Sequence, residues 1–173
     1  MRLAPHVGRA HRRGVHRGQS QAAGGVTVAT NDTRAATLIR AVEATVTGDV
    51  STIEELFTRD VTGSTPAVTI SSREELAIEL EEREDAFSDV EIEINPLDVS
   101  GDQACVEWIA SAVHSGAFPI GVDDDGSVIE PSGRRVSLRG VTVATFDGDR
   151  ISAFRHYWDE LDLLLGLGLL EDA

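Results

Sequence analysis

The stretch that decides the fold is RISAFRHYWDELDLLLGLGLL, residues 150–170. Its first half follows a two-residue turn, and we predict that it runs as a strand through Trp158. Leucines at helical spacing follow Asp159, so we predict that strand changes to helix there. A cation, an imidazole, two aromatic rings and a carboxylate lie together at this junction: Arg155, His156, Tyr157, Trp158 and Asp159. We expect this junction to form the floor of any pocket.

The segments upstream of this stretch predict three helices and then a meander of strands. The predicted helices are 33–47 with a cap at Asn31-Asp32-Thr33, 51–57 with a cap at Ser51, and 71–87 with a cap at Ser71 or Ser72. The predicted strands are 90–94, 104–114, 136–146 and 151–158, with an Asp147-Gly148 hairpin turn. Helices followed by strands indicate an α+β fold with an antiparallel sheet, one face of which the helices cover.

Composition limits the classes of protein that this chain can represent. Its 173 residues allow one domain with a core, and no stretch has the roughly 20 apolar residues that span a bilayer. Its only cysteine, Cys105, excludes an internal disulfide. The net charge is −15, and residues 31–173 hold 10 arginines against 30 acidic residues. Such a surface repels nucleic acid and anionic lipid, so we expect no nucleic-acid or membrane partner. We also expect a cytoplasmic location.

The first 30 residues differ from the rest of the chain. They hold five arginines and no acidic residue, and their apolar residues have no period. We therefore predict a disordered basic tail at residues 1–30 and a domain at residues 31–173. A basic arm that binds a polyanion is the alternative.

Four motifs downstream resemble a known family. They are VEW at 106–108 with VHSGAF at 113–118, PSGRRV at 131–136, the helical half with its Gly48-Asp49 break, and FDGDRI at 146–151 followed by YWD and LLLGLGL. In order and spacing these are similar to the SnoaL-like polyketide cyclases, also called predicted ester cyclases, of the nuclear transport factor 2-like superfamily. The loop 119–130 is longer than is usual there, and Leu165-Gly166 replaces the usual Arg-Gln.

The resemblance implies a fold and a chemistry. The fold is a cone-shaped, curved antiparallel sheet packed with N-terminal helices, with a short C-terminal helix and a homodimer formed through the outer sheet face. The chemistry is cofactor-independent cyclisation or isomerisation of a small hydrophobic carbonyl compound, with the aspartate at the position of Asp159 as general acid/base. Desolvation at the end of an apolar cone would raise the pKa of such a carboxyl group. A helix N-cap is the structural alternative for Asp159.

The other candidate site residues follow from position. Strand parity places Arg155, Tyr157 and Asp159 on one face, opposite His156 and Trp158, and we predict that the Asp159 face looks into the cone. His114 is the second catalytic candidate, or a strand-end histidine. The ligand-binding candidates are Trp108, Phe118, Arg155, His156 and Tyr157. We expect no metal site and no cofactor, and we interpret the acidic run 123–125 as a hairpin tip rather than a calcium loop.

Two other functions stay open at this point. An epoxide hydrolase of related fold needs an inward aspartate with arginine beside it, as Arg155 and Asp159 could provide. A non-catalytic ligand-binding or dimerisation module would instead have its cone filled by Trp108, Phe146 and Trp158.

Overall fold

The computed structural model describes residues 24–119 and 128–170, without the side chains of residues 24–32, 82–84 and 118–119. Most of the predicted basic tail and the acidic run 123–125 therefore lie outside the described residues. The prediction of a tail at 1–30 stays a prediction.

Four helices are described: α1 (Gly24–Thr47), α2 (Val50–Leu56), α3 (Arg73–Glu84) and α4 (Glu160–Leu167). Helix α1 begins upstream of the cap predicted at Asn31, so that boundary was wrong. The cap of α2 is Asp49 and not Ser51, because the Asp49 carboxylate accepts from the Thr52 amide at 3.1 Å. The cap predicted at Ser72 is confirmed, since its hydroxyl accepts from the Glu75 amide at 3.1 Å.

The strands form one six-stranded sheet and one small hairpin. The bounds are β1 (Phe57–Ser64), β2 (Thr69–Ile70), β3 (Phe87–Ser100), β4 (Gln103–His114), β5 (Phe118–Pro119), β6 (Val128–Ile129), β7 (Arg135–Asp147) and β8 (Arg150–Trp158). The sheet order is β2-β1-β8-β7-β4-β3, and β5 pairs with β6. The pairing is antiparallel throughout except between β1 and β8. The sheet is curved and does not close, which confirms the predicted α+β architecture.

The inward face of the sheet is set by alternation on β4 and β7. Buried residues recur at every second position where the strands are regular: Ala104, Val106 and Trp108 on β4, and Thr142, Ala144 and Phe146 on β7. The helices contribute Leu38, Val42, Ile53 and Leu80 to the same core. Burying side chains of this size contributes roughly 1.5–3 kcal/mol each, so this face holds the cone together.

On β8 the predicted inward face was wrong. Ile151 is buried, but the next buried residue is Phe154, because Thr145 pairs with Ala153 and Phe146 pairs with Ile151. The extra residue, Ser152, forms a β-bulge that moves all later side chains to the opposite face. As a result His156 and Trp158 turn inward, whereas Arg155 and Tyr157 are exposed.

A second, smaller core lies where α4 packs against β7. Ile129, Val136 and Leu167 are buried there, with Phe87, Leu138 and Leu163 packed around them. Helix α4 ends at Gly168, which has the left-handed φ of 82° that favours glycine. This core extends the inward side of the sheet beyond the main cone.

Candidate functional site

A chain of three hydrogen-bonding side chains lies at the centre of the cone. The Trp108 indole N–H donates to the Thr142 hydroxyl at 3.0 Å, and that hydroxyl lies 2.7 Å from Nδ1 of His156. Trp108 and Thr142 are buried, and His156 is half-buried. Since buried polar groups are costly unless they are paired, the chain satisfies groups that the apolar cone would otherwise penalise.

The strand register brings these residues together. Thr142 on β7 pairs directly with His156 on β8, and Gly140 pairs with both Trp108 and Trp158. A side chain at Gly140 would overlap the Trp108 ring, so this glycine makes room for the indole. The two tryptophan rings lie 6.4 Å apart between centroids.

The Trp158 indole N–H differs from that of Trp108. It is buried, and among residues 24–119 and 128–170 it has no hydrogen-bond partner. Trp158 also lies 6.4 Å from the His156 ring, centroid to centroid. The cone therefore contains one indole donor that is satisfied and one that is not, next to the same imidazole.

The cavity beside these three side chains is small. A cavity of about 10 Å³ is bordered by Thr142 and His156 on the sheet and by helix α1 opposite, through Leu38, Ala41, Val42 and Thr45. That volume is close to the least that holds one water molecule. Aromatic side chains also pack in this core: Trp108, Phe146, Phe154 and Trp158.

His114 is not one of these hydrogen-bonded side chains. It is fully buried at the end of β4, where its ring lies 5.5 Å from that of Phe87. Its Nδ1 accepts from the Ser132 amide at 3.2 Å and lies 3.1 Å from the Ser132 hydroxyl. Its backbone also bonds to the 133–134 segment. These contacts match the alternative of a strand-end histidine that holds a loop.

Asp159 is exposed and caps α4. Its carboxylate accepts from the Leu161 amide at 2.9 Å, and its extended backbone is typical of an N-cap residue. Among the described residues no aspartate or glutamate side chain is buried. The catalytic role predicted for Asp159 stays a prediction, and its side chain is engaged with the helix end.

Two of the remaining candidates lie outside the cone. Arg155 and Tyr157 are exposed on the outward face of β8, with Tyr157 at 54% of its full exposure. Phe118 lies on β5, and its side chain is outside the described residues. Of the predicted site residues whose side chains the structure describes, Trp108 and His156 are brought together.

The sequence did not lead us to predict Thr142 as a site residue. The available signal was a lone hydroxyl on the inward face of a strand whose other inward residues are apolar. Such a residue needs a hydrogen-bond partner inside the core, and partners of that kind come from neighbouring strands.

A larger groove, of about 280 Å³, lies outside the cone. It is lined by Ile109, Ser137 and Arg139 of the outward sheet face, with Leu138 and Asp162. Within the described chain, no three His, Cys, Asp or Glu side chains are grouped to hold a metal ion. Burial raises the pKa of the Cys105 thiol, with Asp98 adding to the shift, which suits an inert thiol. No described helix is long and apolar enough to cross a membrane.

The curved, unclosed sheet and the helices packed on its inward face form an α+β cone. The sequence matches the SnoaL-like polyketide cyclase family over residues 36–167, and the chain belongs to that family. The resemblance found in the motifs is thereby confirmed. A search of curated proteins finds no match.

Solved structures share the fold at low sequence identity. A protein of Jannaschia sp. CCS1, assigned as a SnoaL-like polyketide cyclase, is 16% identical, with a TM-score of 0.69 over 89% of this chain and 100% of its own. AclR of Streptomyces galilaeus, assigned as a hydroxylase, is 23% identical, with a TM-score of 0.66 over 83% of this chain and 85% of its own. An LEH-like epoxide hydrolase of M. tuberculosis is 16% identical, with a TM-score of 0.57 over 80% of this chain and 92% of its own. The activities assigned to these neighbours differ although the fold is shared.

Proposed function

We propose that this chain binds a small hydrophobic molecule with a carbonyl group inside the cone. The observation that carries the proposal is the buried Trp158 indole N–H, which has no partner among the described residues and lies beside the imidazole of His156. A buried donor without an acceptor costs about 1–3 kcal/mol. A ligand carbonyl oxygen would recover that cost and leave the apolar part of the ligand against the aromatic rings.

Binding requires the cone to open. Ligand pockets commonly enclose about 300–1,000 Å³, far more than the cavity of about 10 Å³ beside His156. One wall of that cavity is α1 alone, through Leu38, Ala41, Val42 and Thr45, and the other wall is the sheet. An outward shift of α1 would enlarge the cavity without breaking any strand pair, so we assign the opening motion to α1.

The activity that we propose is cofactor-independent cyclisation or isomerisation of this carbonyl compound. Family membership supports that reaction class. Hydrogen bonds to the carbonyl oxygen would stabilise the negative charge that develops when a proton leaves the neighbouring carbon. The acid/base role predicted for Asp159 has little support, because that carboxylate caps α4 in solvent. A cytoplasmic location belongs to the same proposal.

Epoxide hydrolysis has less support. It needs an inward carboxylate with an arginine beside it, and Arg155 is exposed on the outward face of β8. Within the described residues the buried polar side chains are His114 and Thr142, neither of which is a carboxylate.

A non-catalytic dimerisation module is the second candidate, and the small cavity favours it. Aromatic rings fill the cone as that alternative predicts. Ile109 and Tyr157 are exposed on the outward sheet face at 43% and 54%, where a second copy could pack. We therefore propose a homodimer in either case, to be tested by sedimentation of the wild type and of Ile109→Glu.

A nuclear magnetic resonance titration separates the two candidates. The chain has two tryptophans, so its two indole N–H signals both report on the cone. Cyclohexanone should shift the Trp158 signal saturably and move the Trp108 signal less, because Trp108 is already bonded to Thr142. Methylenecyclohexane, of similar shape but without the carbonyl oxygen, should bind roughly tenfold more weakly.

The matched variants lie next to each other on β8. His156→Phe alters the inward face beside Trp158 and should reduce the preference for the ketone without abolishing it, because the Trp158 indole donor remains. Tyr157→Phe alters the outward face and should leave the preference unchanged. If neither compound gives a saturable shift and the wild type sediments as a dimer, the non-catalytic module is the correct reading.

A further inference from the structure

Arg34 of α1 reaches across the end of the sheet where two strand turns lie. Its Nη1 donates to the Gly101 carbonyl, and its Nη2 donates to the Gly148 carbonyl at 3.5 Å. Gly101 lies in the turn between β3 and β4, and Gly148 lies in the turn between β7 and β8. The guanidinium carbon of Arg34 also lies 5.6 Å from the centre of the buried Phe146 ring, a cation–π distance. One side chain thus joins the helix to two turns of the sheet.

The two turns belong to the sheet rather than to the helix. The β3–β4 and β7–β8 pairings both continue to the residues that flank the turns. The turns are also joined to each other, because the Phe146 amide donates to the Asp102 carbonyl at 2.8 Å. A helix that moves away from the sheet must therefore break the bonds that Arg34 makes.

Arg34 lies next to the part of α1 that borders the small cavity. The residues of that part in the cavity wall are Leu38, Ala41, Val42 and Thr45. Leu38 follows Arg34 by four residues, so the two side chains lie on the same side of the helix. The bonds of Arg34 therefore hold the helix at the cavity.

Arg40, further along α1, makes a different connection. Its guanidinium donates to the Glu55 carboxylate of α2, at 3.0 Å and 3.3 Å. Arg40 thus fastens α1 to another helix, whereas Arg34 fastens α1 to the sheet. The same helix therefore provides a matched control for Arg34.

We propose that Arg34 is a latch that holds α1 on the sheet and keeps the cone closed. When the two carbonyl bonds break, the part of α1 that borders the cavity moves outward while the strand pairs stay intact. Hydrogen bonds from a charged donor are the stronger kind, so their loss should raise the population of the open form roughly tenfold. Admission of a ligand by the open form rests on the proposed function, whereas the latch is a property of the protein without ligand.

Hydrogen exchange of the full-length wild type shows whether α1 opens by itself. A helix that has left its packing surface frays in water, so its amides exchange in the open form. We expect the amides of residues 38–45 to exchange with less urea dependence than those of β4, because they open without global unfolding. Equal urea dependence in the two segments would overturn the proposal, even if every variant failed to fold.

Variants of Arg34 test whether this residue controls the opening. Arg34→Met keeps the aliphatic stem, removes the guanidinium and should make the amides of residues 38–45 exchange roughly tenfold faster. Arg34→Lys keeps a positive charge that bonds to one carbonyl and should give an intermediate rate. Arg40→Met, the matched control, should leave the rate near that of the wild type. Unchanged exchange in folded Arg34→Met, or an equal rise in Arg40→Met, would contradict the proposal.

The ketone titration separates this inference from the proposed function. If cyclohexanone binds, Arg34→Met should bind it roughly tenfold more tightly than the wild type, because the closed form competes with binding. If exchange follows Arg34 as expected but cyclohexanone does not bind, the proposed function fails and the latch stands. If cyclohexanone binds and exchange at residues 38–45 is unchanged in Arg34→Met, the latch fails and the proposed function stands.

Discussion

His114 and His156 both lie on the inward side of the sheet, and each has Nδ1 bonded, yet their partners differ in kind. Nδ1 of His114 accepts from a backbone amide, that of Ser132, and the side chain is fully buried. Nδ1 of His156 faces the hydroxyl of Thr142, and the side chain is half-buried beside the small cavity. The amide at position 132 remains whichever side chain that residue carries. The hydroxyl at position 142 is lost when Thr142 is substituted by a residue without one.

This difference indicates which histidine is structural. His114 ties the end of β4 to the 132–134 segment through its side chain and its backbone. The His156 ring faces the Thr142 hydroxyl, so its side-chain environment changes when Thr142 is substituted. We expect substitutions at His114 to affect stability and substitutions at His156 to affect recognition.

The largest effect is expected for His114→Ala. This change leaves a cavity in a fully buried position and removes the acceptor of the Ser132 amide, so the free energy of unfolding should fall by about 3 kcal/mol. Urea denaturation followed by circular dichroism measures it. His114→Asn keeps an acceptor near the position of Nδ1 and should recover part of the loss. Undiminished stability together with lost ketone binding would reverse the roles of the two histidines.

The next largest loss of stability is expected at a glycine in the centre of the cone. Comparing it with a second glycine separates the cost of packing from the cost of backbone conformation. A Cβ at Gly140 would overlap the Trp108 ring and the Tyr157 carbonyl oxygen, so Gly140→Ala should cost about 2 kcal/mol and shift the Trp108 indole signal. Gly133, near His114, has open space around it but a φ of 67°. Gly133→Ala should therefore cost about 1 kcal/mol and leave both indole signals in place. Equal indole shifts in the two variants would show that the two regions are coupled.

The long strands beside these two histidines could be predicted from the sequence. Strands were predicted at 104–114 and 136–146, and the structure has β4 and β7 there, with Trp108, His114, Thr142 and Phe146 buried on the inward side. Regular antiparallel pairing over 103–113 preserves the parity from one end of the strand to the other. The helix boundaries were less accurate, because Asp49 and Ser51 are both good caps and only tertiary structure selects between them.

The inward face of β8 could not be predicted in the same way. The bulge at Ser152 lies between Ile151 and Ala153, and no glycine or proline in the strand marks it. One extra residue reverses every later side chain, so that His156 points into the cone and Tyr157 points out of it. The pairing of Thr142 with His156 is likewise a product of strand register, which composition and periodicity leave open.

Asp159 tests whether the chemistry around His156 extends to the end of β8. If its carboxylate only caps α4, Asp159→Ala should lower the free energy of unfolding by about 1 kcal/mol, whereas Asp159→Asn should lower it little, because asparagine caps equally well. Denaturation and the ketone titration should be run on both variants. A folded Asp159→Asn that no longer binds or converts the carbonyl compound would restore the role predicted for this carboxylate.

The smallest change in stability is expected for substitution of Asp49. Like Asp159, this aspartate caps a helix, but it has no histidine near it in sequence. The Thr52 and Ser51 hydroxyls and the Thr52 amide lower the pKa of Asp49 from 3.8 to about 2. Because the folded pKa is the lower one, the carboxylate stabilises the fold fully above about pH 4, and this contribution is lost as the pH falls through about 2. The difference in unfolding free energy between wild type and Asp49→Ala should therefore narrow across that interval. Asp159→Ala is the matched variant. If the stability difference between wild type and Asp159→Ala changed near neutral pH, and that of Asp49→Ala did not, Asp159 would interact with a histidine. That result would argue against a role for Asp159 as a cap alone.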